Sequence, residues 1–227
     1  MRFIEKTYSP TSLDNWKTGR IAANQGLIYD ELAAQPQSDL KDLLISEQKG
    51  LCCYCQQVIT NNNSTIEHFL PQSKYKKHET EYLNLHLACK YSRGKGIKKE
   101  DKYCDVKKGN DLIINAILHP ECETFFRYTK NGEILPNDFI FKNYKEFNKN
   151  VEKLNLKNQA ILHLINVLNL NSIDLINKRK KTYNDTLKAM RKMSNAKKIA
   201  FLNKENAKQK LSRFPSLIKN IFEMELK

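Results

Sequence analysis

The chain has 227 residues and a mass of 26.5 kDa, the size of one domain or of a domain with an appendage. With 40% hydrophobic and 28% charged residues, and only Gly 7 and Pro 6, it is neither disordered nor fibrous and can fill a core. Lys and Arg exceed Asp and Glu by 39 − 25 = 14. Such an excess brings self-repulsion unless an anionic partner offsets it, which puts nucleic acid first and an acidic membrane surface second.

The longest apolar-looking stretch, residues 160–170, is broken by His163, Asn166 and Asn169. Nothing therefore approaches the roughly 18 uninterrupted apolar residues of a membrane span. Met1-Arg2-Phe3-Ile4-Glu5-Lys6 lacks the apolar centre and small-residue cleavage site of a secretory signal, which predicts a cytoplasmic protein. In a reducing compartment the six cysteines, at 52, 53, 55, 89, 104 and 122, are not expected to form disulfides, and metal binding becomes the competing explanation.

Residues 1–50 read as a helical scaffold. Ser12 is placed to cap a short helix containing Trp16, and Ser38 to cap a helix over 39–49 in which Leu40, Leu43, Leu44 and Ile45 form an apolar stripe ended by Gly50. Over residues 51–120 the pattern changes to short apolar segments, clustered Cys and His, and polar turns. Residues 65–70 and 84–89 have strand length, and from Asp105 onward Leu112, Ile113, Ala116, Ile117 and Leu118 have helical spacing, so the order is strand, strand, helix. Asn131-Gly132 marks a hairpin turn between 126–128 and 133–135. Residues 121–227 are mainly helical, with no glycine after Gly132. From Asp174 to Lys227 there are 15 Lys and Arg against 5 Asp and Glu, so +10 of the +14 lies in this last stretch.

Cys52 and Cys55 form a Cys-x-x-Cys pair, the spacing at which a tight turn lets two thiolates reach one tetrahedral Zn²⁺. Cys89 ends the second strand and Cys104 precedes the helix, so four thiolates can converge on a structural Cys₄ zinc site. The plainer alternative is reduced thiols packed as small hydrophobes, the reading that suits Cys122, while Cys53 is a bystander. Residues 90–103 hold six basic residues against Glu100 and Asp101 and read as an exposed insertion. Arg93, Lys95 and Lys98 from it, with Lys107 and Lys108 from the helix, are the candidate nucleic-acid contacts.

Ile66-Glu67-His68-Phe69-Leu70-Pro71 sets a carboxylate beside an imidazole in an otherwise apolar strand. Regular alternation would send the two to opposite faces, so they share a site only where the strand ends, and Pro71 makes that ending. Asn84 follows sixteen residues after His68, and Cys104-Asp105 opens the helix. In this order and spacing the sequence resembles the HNH (ββα-metal) nucleases. More narrowly, LCCYC, IEHFLP, NLHLAC, CDVKKGN and LNLNSIDLINKR resemble the HNH subfamily that accompanies retrons and Septu anti-phage systems, whose nuclease component is called PtuB. The likeness runs from about residue 1 to 184.

The resemblance implies an α+β fold: a small ββα-metal core embedded in a mainly helical protein. It implies that His68 is the general base, that Asn84 orients it, and that Glu67 and Asp105 bind a catalytic Mg²⁺ or Mn²⁺. Glu67 stands where Asp is common in the family, and Asp105 where Asn or His is commoner. Asp105 takes its place only if residues 90–103 are an insertion; otherwise Arg93 would fall at the ligand position, where an arginine cannot bind a cation. The implied activity is phosphodiester hydrolysis, with DNA favoured as substrate, in anti-phage defence. The implied partners are a PtuA-type ATPase and a retron reverse transcriptase with its non-coding RNA or DNA. No Gly-rich lysine motif for ATP occurs in this chain. Two alternatives stay open: an RNA-cleaving toxin, acting for instance on tRNA, and a non-catalytic zinc module that binds nucleic acid or protein.

Overall fold

The computed structural model describes residues 1–138 and 140–226; Lys227, counted in the charge tally, lies outside them. The fold is mixed α+β, mostly helical, with two small antiparallel hairpins.

Helices α1 (Thr11–Ala22) and α2 (Ala34–Glu47) both begin before the serines expected to cap them. Pro10 occupies the α1 cap position with Ser12 inside the helix, and α2 starts four residues ahead of Ser38. Pro36 accounts for the second shift. In the first helical turn a backbone N–H has no intrahelical partner to lose, so a proline fits there. Leu40 and Leu44 are the buried leucines of α2, and the chain leaves the helix where Lys49 and Gly50 take φ of 51° and 72°.

Strands β1 (Ser64–His68) and β2 (Leu85–Cys89) lie close to the expected ranges and pair antiparallel, with Glu67 opposite His86 and His68 opposite Leu85. β2 is buried throughout, and its outer edge is not open. The Gln48 side chain donates to the Leu87 carbonyl at 2.9 Å and accepts from the Leu87 N–H at 2.7 Å, while the Cys53 N–H also reaches that carbonyl at 3.0 Å. Covering the edge satisfies backbone groups that another strand could otherwise pair with. The turn carrying Cys52 to Cys55 is closed by a bridge between Leu51 and Val58.

After β2 the expected helix is shorter than its apolar spacing suggested. Helix α3 (Asp105–Lys108) is a single turn, stopped at Gly109 with φ of 52°. Leu112 and Ile114 are exposed, and only Ala116 and Ile117 of that stretch are buried, in a 3-10 turn. The spacing came from isolated residues docking on the core, not from a continuous helix.

Strands β3 (Phe126–Tyr128) and β4 (Ile134–Pro136) form the hairpin that Asn131-Gly132 announces. Gly132 has φ of 90°, and a Cβ on it would stand 2.8 Å from the Lys180 backbone nitrogen. The buried Arg179 donates from Nε to the Gly132 carbonyl at 2.6 Å, locking this turn onto the next long helix.

Helices α4 (Tyr144–Lys149), α5 (Leu156–Val167), α6 (Ile173–Met190), α7 (Asn195–Asn206) and α8 (Pro215–Glu225) complete the chain. The first four begin at Asn143, Asn155, Ser172 and Ser194, whose side chains accept from backbone N–H groups of the first turn. One core cluster gathers residues from Met1 to Phe222. The segment before and into α8 returns to the cysteine turn: the Leu211 N–H meets the Lys49 carbonyl, the Phe214 N–H meets the Gln56 carbonyl, and Gln56 Nε2 donates to Ser216 Oγ at 2.7 Å across 160 positions of sequence. By contrast α6 buries only Leu175, Arg179 and Met190, and α7 buries no residue. Among the described residues no helix is long and apolar enough to cross a membrane.

Candidate active site and cysteine cluster

Cys52, Cys55, Cys89 and Cys104 are all buried, with their four sulfurs within 4.8 Å of one another. The Sγ–Sγ distances are 3.8 Å for 52–104, 3.6 Å for 55–89 and 3.9 Å for 89–104. A tetrahedron with Zn–S bonds of about 2.3 Å has an edge of about 3.8 Å, so the four thiols already have the spacing of a zinc cage and not that of disulfides. The Cys89 N–H donates to Cys52 Sγ at 3.3 Å and Gln57 Nε2 to Cys55 Sγ at 3.6 Å, bonds that favour thiolates. Although burial opposes it, hydrogen bonds from Cys104, Cys53, Cys55 and Cys89 hold the Cys52 thiol well below its ordinary range. Cys53 and Cys122 are buried outside the cluster, as expected.

The cluster adjoins two of the candidate site residues, Asp105 and Glu67. Cys104 has φ of 60°, an uncommon backbone state for a residue with a Cβ. Its N–H is held by the Leu168 carbonyl at 2.9 Å, and the next residue is Asp105. On the other side Tyr54, set between two cluster cysteines, donates its hydroxyl to Glu67 Oε1 at 2.8 Å.

Glu67 is buried at the end of β1, and Lys108 Nζ lies 2.9 Å from Oε1 while also donating to the His68 carbonyl at 3.0 Å. Burial pushes the Glu67 carboxyl above its usual range, Lys108 and Tyr54 oppose that rise, and the charge of Asp105 adds to it. Asp105 is likewise pushed up by burial and restrained by Arg93, which pairs with Oδ2. Asp105 Oδ1 is buried without a hydrogen-bond partner. A buried carboxylate oxygen with an open lone pair is an atom that could ligate a cation. Among the described residues no other group of three His, Cys, Asp or Glu gathers as tightly as the cysteines. Glu67 and Asp105 are each engaged by a cation of the chain itself, Lys108 and Arg93.

His68 is half-buried. Its Nε2 lies 2.9 Å from the Glu79 carbonyl, and its ring meets the Tyr29 ring edge-on at 4.5 Å between centroids. A carbonyl only accepts, so Nε2 carries the proton and Nδ1 keeps the lone pair. Burial holds the imidazole below its ordinary pKa, in its neutral form at neutral pH.

Asn84 does not act on the imidazole directly. Its Oδ1 accepts from the Leu70 N–H at 2.6 Å, and its Nδ2 donates to the carbonyls of Leu70 at 3.2 Å and His78 at 3.0 Å. The amide therefore ties together both ends of the 70–78 loop, one residue before the carbonyl on which His68 rests.

Of the five basic residues expected to face phosphate, Lys95 and Lys98 are exposed, Lys107 is partly exposed, and Arg93 is exposed while reaching Asp105. Lys108 is the departure: it is 2% exposed, with its ammonium engaged by Glu67, so it sits inside the site and not on a surface. The sequence reading also missed Tyr54, Tyr29 and the Glu79 carbonyl. Tyr54 had a signal, an aromatic residue between two cluster cysteines. The other two are brought in only by the fold. His86, opposite Glu67, is fully buried and held well below its usual pKa by burial and then by Lys6.

No family model matches the chain. It is similar to the "Retron Vc95 putative HNH endonuclease" of Vibrio cholerae serotype O1 biovar El Tor, with 26% identity over 180 residues that cover 76% of this chain and 78% of that protein.

Proposed function

We propose that this chain is a metal-dependent HNH endonuclease that hydrolyses phosphodiester bonds of nucleic acid, DNA before RNA, as the effector of a retron-linked anti-phage system. The observation that supports the reading is the buried, unpartnered Oδ1 of Asp105, at the start of a helix whose preceding residue belongs to the cysteine cluster, within electrostatic reach of Glu67 near the end of β1. The similarity to a retron protein named as an HNH endonuclease supports the same reading.

Glu67 and Asp105 are the residues that would hold Mg²⁺ or Mn²⁺, which supplies charge neutralisation at the phosphate and at the leaving oxygen when bound. His68, neutral and with Nδ1 unprotonated, takes the proton of the attacking water. Water oxygen bonds to phosphorus, the bond from phosphorus to the 3′ oxygen breaks, the 3′ oxygen takes a proton from solvent water, and the products are 5′-phosphate and 3′-hydroxyl ends. Asn84 is a positioning residue that holds the loop under His68. The four cysteines would bind a structural Zn²⁺ that keeps β2, the 52–55 turn and the start of α3 in one geometry. Residues 1–50 act as scaffold, 51–120 as nuclease core and 121–227 as a helical region that turns basic near 174. A PtuA-type ATPase and retron components, the reverse transcriptase and its nucleic acid, are the partners this reading assigns.

The test is purified wild-type and His68→Ala protein on duplex DNA, single-stranded DNA and structured RNA, with zinc content and folding measured on both. Metal-dependent cleavage that His68→Ala abolishes at unchanged zinc content is expected. Cleavage unaltered by the substitution would leave only a binding module, and cleavage confined to RNA would replace the preferred substrate.

A further inference from the structure

Helix α6 carries a row of cations that its own protein does not neutralise. Lys178 pairs with Asp174, Lys208 with Glu205, and Lys219 with Glu123 and Glu223, whereas Lys180, Lys181, Lys188, Arg191 and Lys192 pair with no carboxylate among the described residues. All five are exposed. At about 100° per residue Lys180, Lys181, Lys188 and the cap residue Arg191 fall, with Asn184, within roughly 100° of the helix circumference, and at about 1.5 Å per residue they extend over roughly 16 Å; Lys192 follows in the turn just after the helix. From residue 177 to 192 that arc holds no apolar side chain. The apolar side of α6, with Tyr183 and Leu187, faces the core instead.

Side-chain contacts join α6 to the candidate active site. Arg93 reaches Asp105, and two residues before it in the same basic loop is Tyr91, whose ring lies 5.4 Å from Lys178 Nζ. Tyr103, at the end of that loop, donates to Asp174 in the first turn of α6 at 2.9 Å. The 90–103 insertion thus meets the start of α6, where Asp174 is engaged by Lys178, and its six cations outnumber the acidic Glu100 and Asp101 in the loop and the exposed Asp185 beside the row.

We propose that the 90–103 loop and the exposed face of α6 form one continuous track for the phosphate backbone of the nucleic acid that enters the active site. The composition favours nucleic acid over an acidic protein. Protein interfaces are depleted in lysine and centred on apolar or aromatic residues, whereas a phosphate track needs Lys, Arg and amide donors and no apolar centre. The inference rests on the nuclease reading for what the track serves, but it concerns binding and is tested without turnover.

The whole chain is titrated in chelator with a labelled mixed-sequence duplex, DNA in one arm and RNA in the other, over a range of salt. Its fourfold variant Lys180→Gln, Lys181→Gln, Lys188→Gln, Lys192→Gln is treated alike. Each lost contact to DNA should remove about 0.9 from the slope of log affinity against log salt, so the variant's slope should be shallower by about 3 to 4. The matching fourfold Lys→Arg variant should keep the wild-type slope. An unchanged slope in the glutamine variant overturns the track, as does displacement of the duplex by polyglutamate as effective as by unlabelled duplex at equal charge. Neither result touches the nuclease reading, which stands or falls on His68→Ala.

Discussion

Replacing Asn84 with alanine separates positioning from direct catalysis. The side chain is buried and makes three hydrogen bonds, to the Leu70 N–H, the Leu70 carbonyl and the His78 carbonyl. Truncation removes all three bonds and leaves the Leu70 N–H and carbonyl unpaired, while the His78 carbonyl keeps the Glu81 N–H at 3.2 Å. At about 1 kcal/mol for each, rising where no water enters, the loss is about 3 kcal/mol. For a chain of this size about 2–4 °C of melting temperature accompanies each kcal/mol, so the variant should melt about 6–12 °C below wild type while still folding. The 70–78 loop would loosen, and with it the Glu79 carbonyl that fixes the His68 tautomer. Thermal melting should be paired with cleavage measured well below both transitions. A slower rate that accompanies the destabilisation is expected, and Asn84→Asp should fall between, since it keeps the acceptor for Leu70 and loses both donors. Abolished cleavage with a melting temperature within a degree or so of wild type would refute the reasoning and place the amide on the substrate itself.

Gly132→Ala should destabilise by about 3 kcal/mol or more, because the new methyl meets the backbone of α6 and the residue must keep a positive φ; chemical denaturation would show it, and a loss below about 1 kcal/mol would mean the turn does not dock on α6 in solution. Stripping zinc with a strong chelator should unfold the region around β2, since structural zinc contributes about 10–16 kcal/mol against a total stability of about 5–15 kcal/mol. Loss of the folded far-ultraviolet circular dichroism signal and recovery on adding Zn²⁺ are expected, and a chelator-insensitive spectrum would count for plain buried thiols. For pH, burial lowers the His68 pKa, so the neutral base persists below the ordinary histidine value near 6.5. The acid limb of the cleavage rate should fall at a pH below that value, and a limb centred above 7 would exclude this imidazole as the base.

Much of the site was legible because it depends on residue types at fixed spacing. The Cys-x-x-Cys pair, the acid beside a histidine before Pro71, and a cysteine directly before an acid at a helix start each mark a place where local geometry is set by a few residues. The β1–β2 pairing followed from two short apolar runs, and the β3–β4 turn from Asn131-Gly132. What the sequence hid depends on long-range contact. Lys108 looked like one more surface lysine, yet it is drawn inward by the Glu67 charge. Asn84 looked like a partner of His68, and its bonds go to main-chain groups of a loop whose course no spacing announces. The length of α3 was overread because Leu112, Ile113, Ala116 and Ile117 mimic a helical period while Gly109 ends the turn first. The early starts of α1 and α2 show the limit of reading caps from serine alone.

The return of the 211–216 segment to the cysteine turn bears on when a newly made molecule can complete its candidate site. Lys49 and Gln56 receive their braces from residues synthesised some 160 positions later, and a closure over so long a stretch is slow compared with local helix formation. While the ribosome is still adding residues to α7, the turn that steadies Tyr54 and, through it, Glu67 lacks its last support. On the proposed nuclease reading, an unfinished polypeptide should therefore cleave poorly, and competence should arrive only near the end of translation.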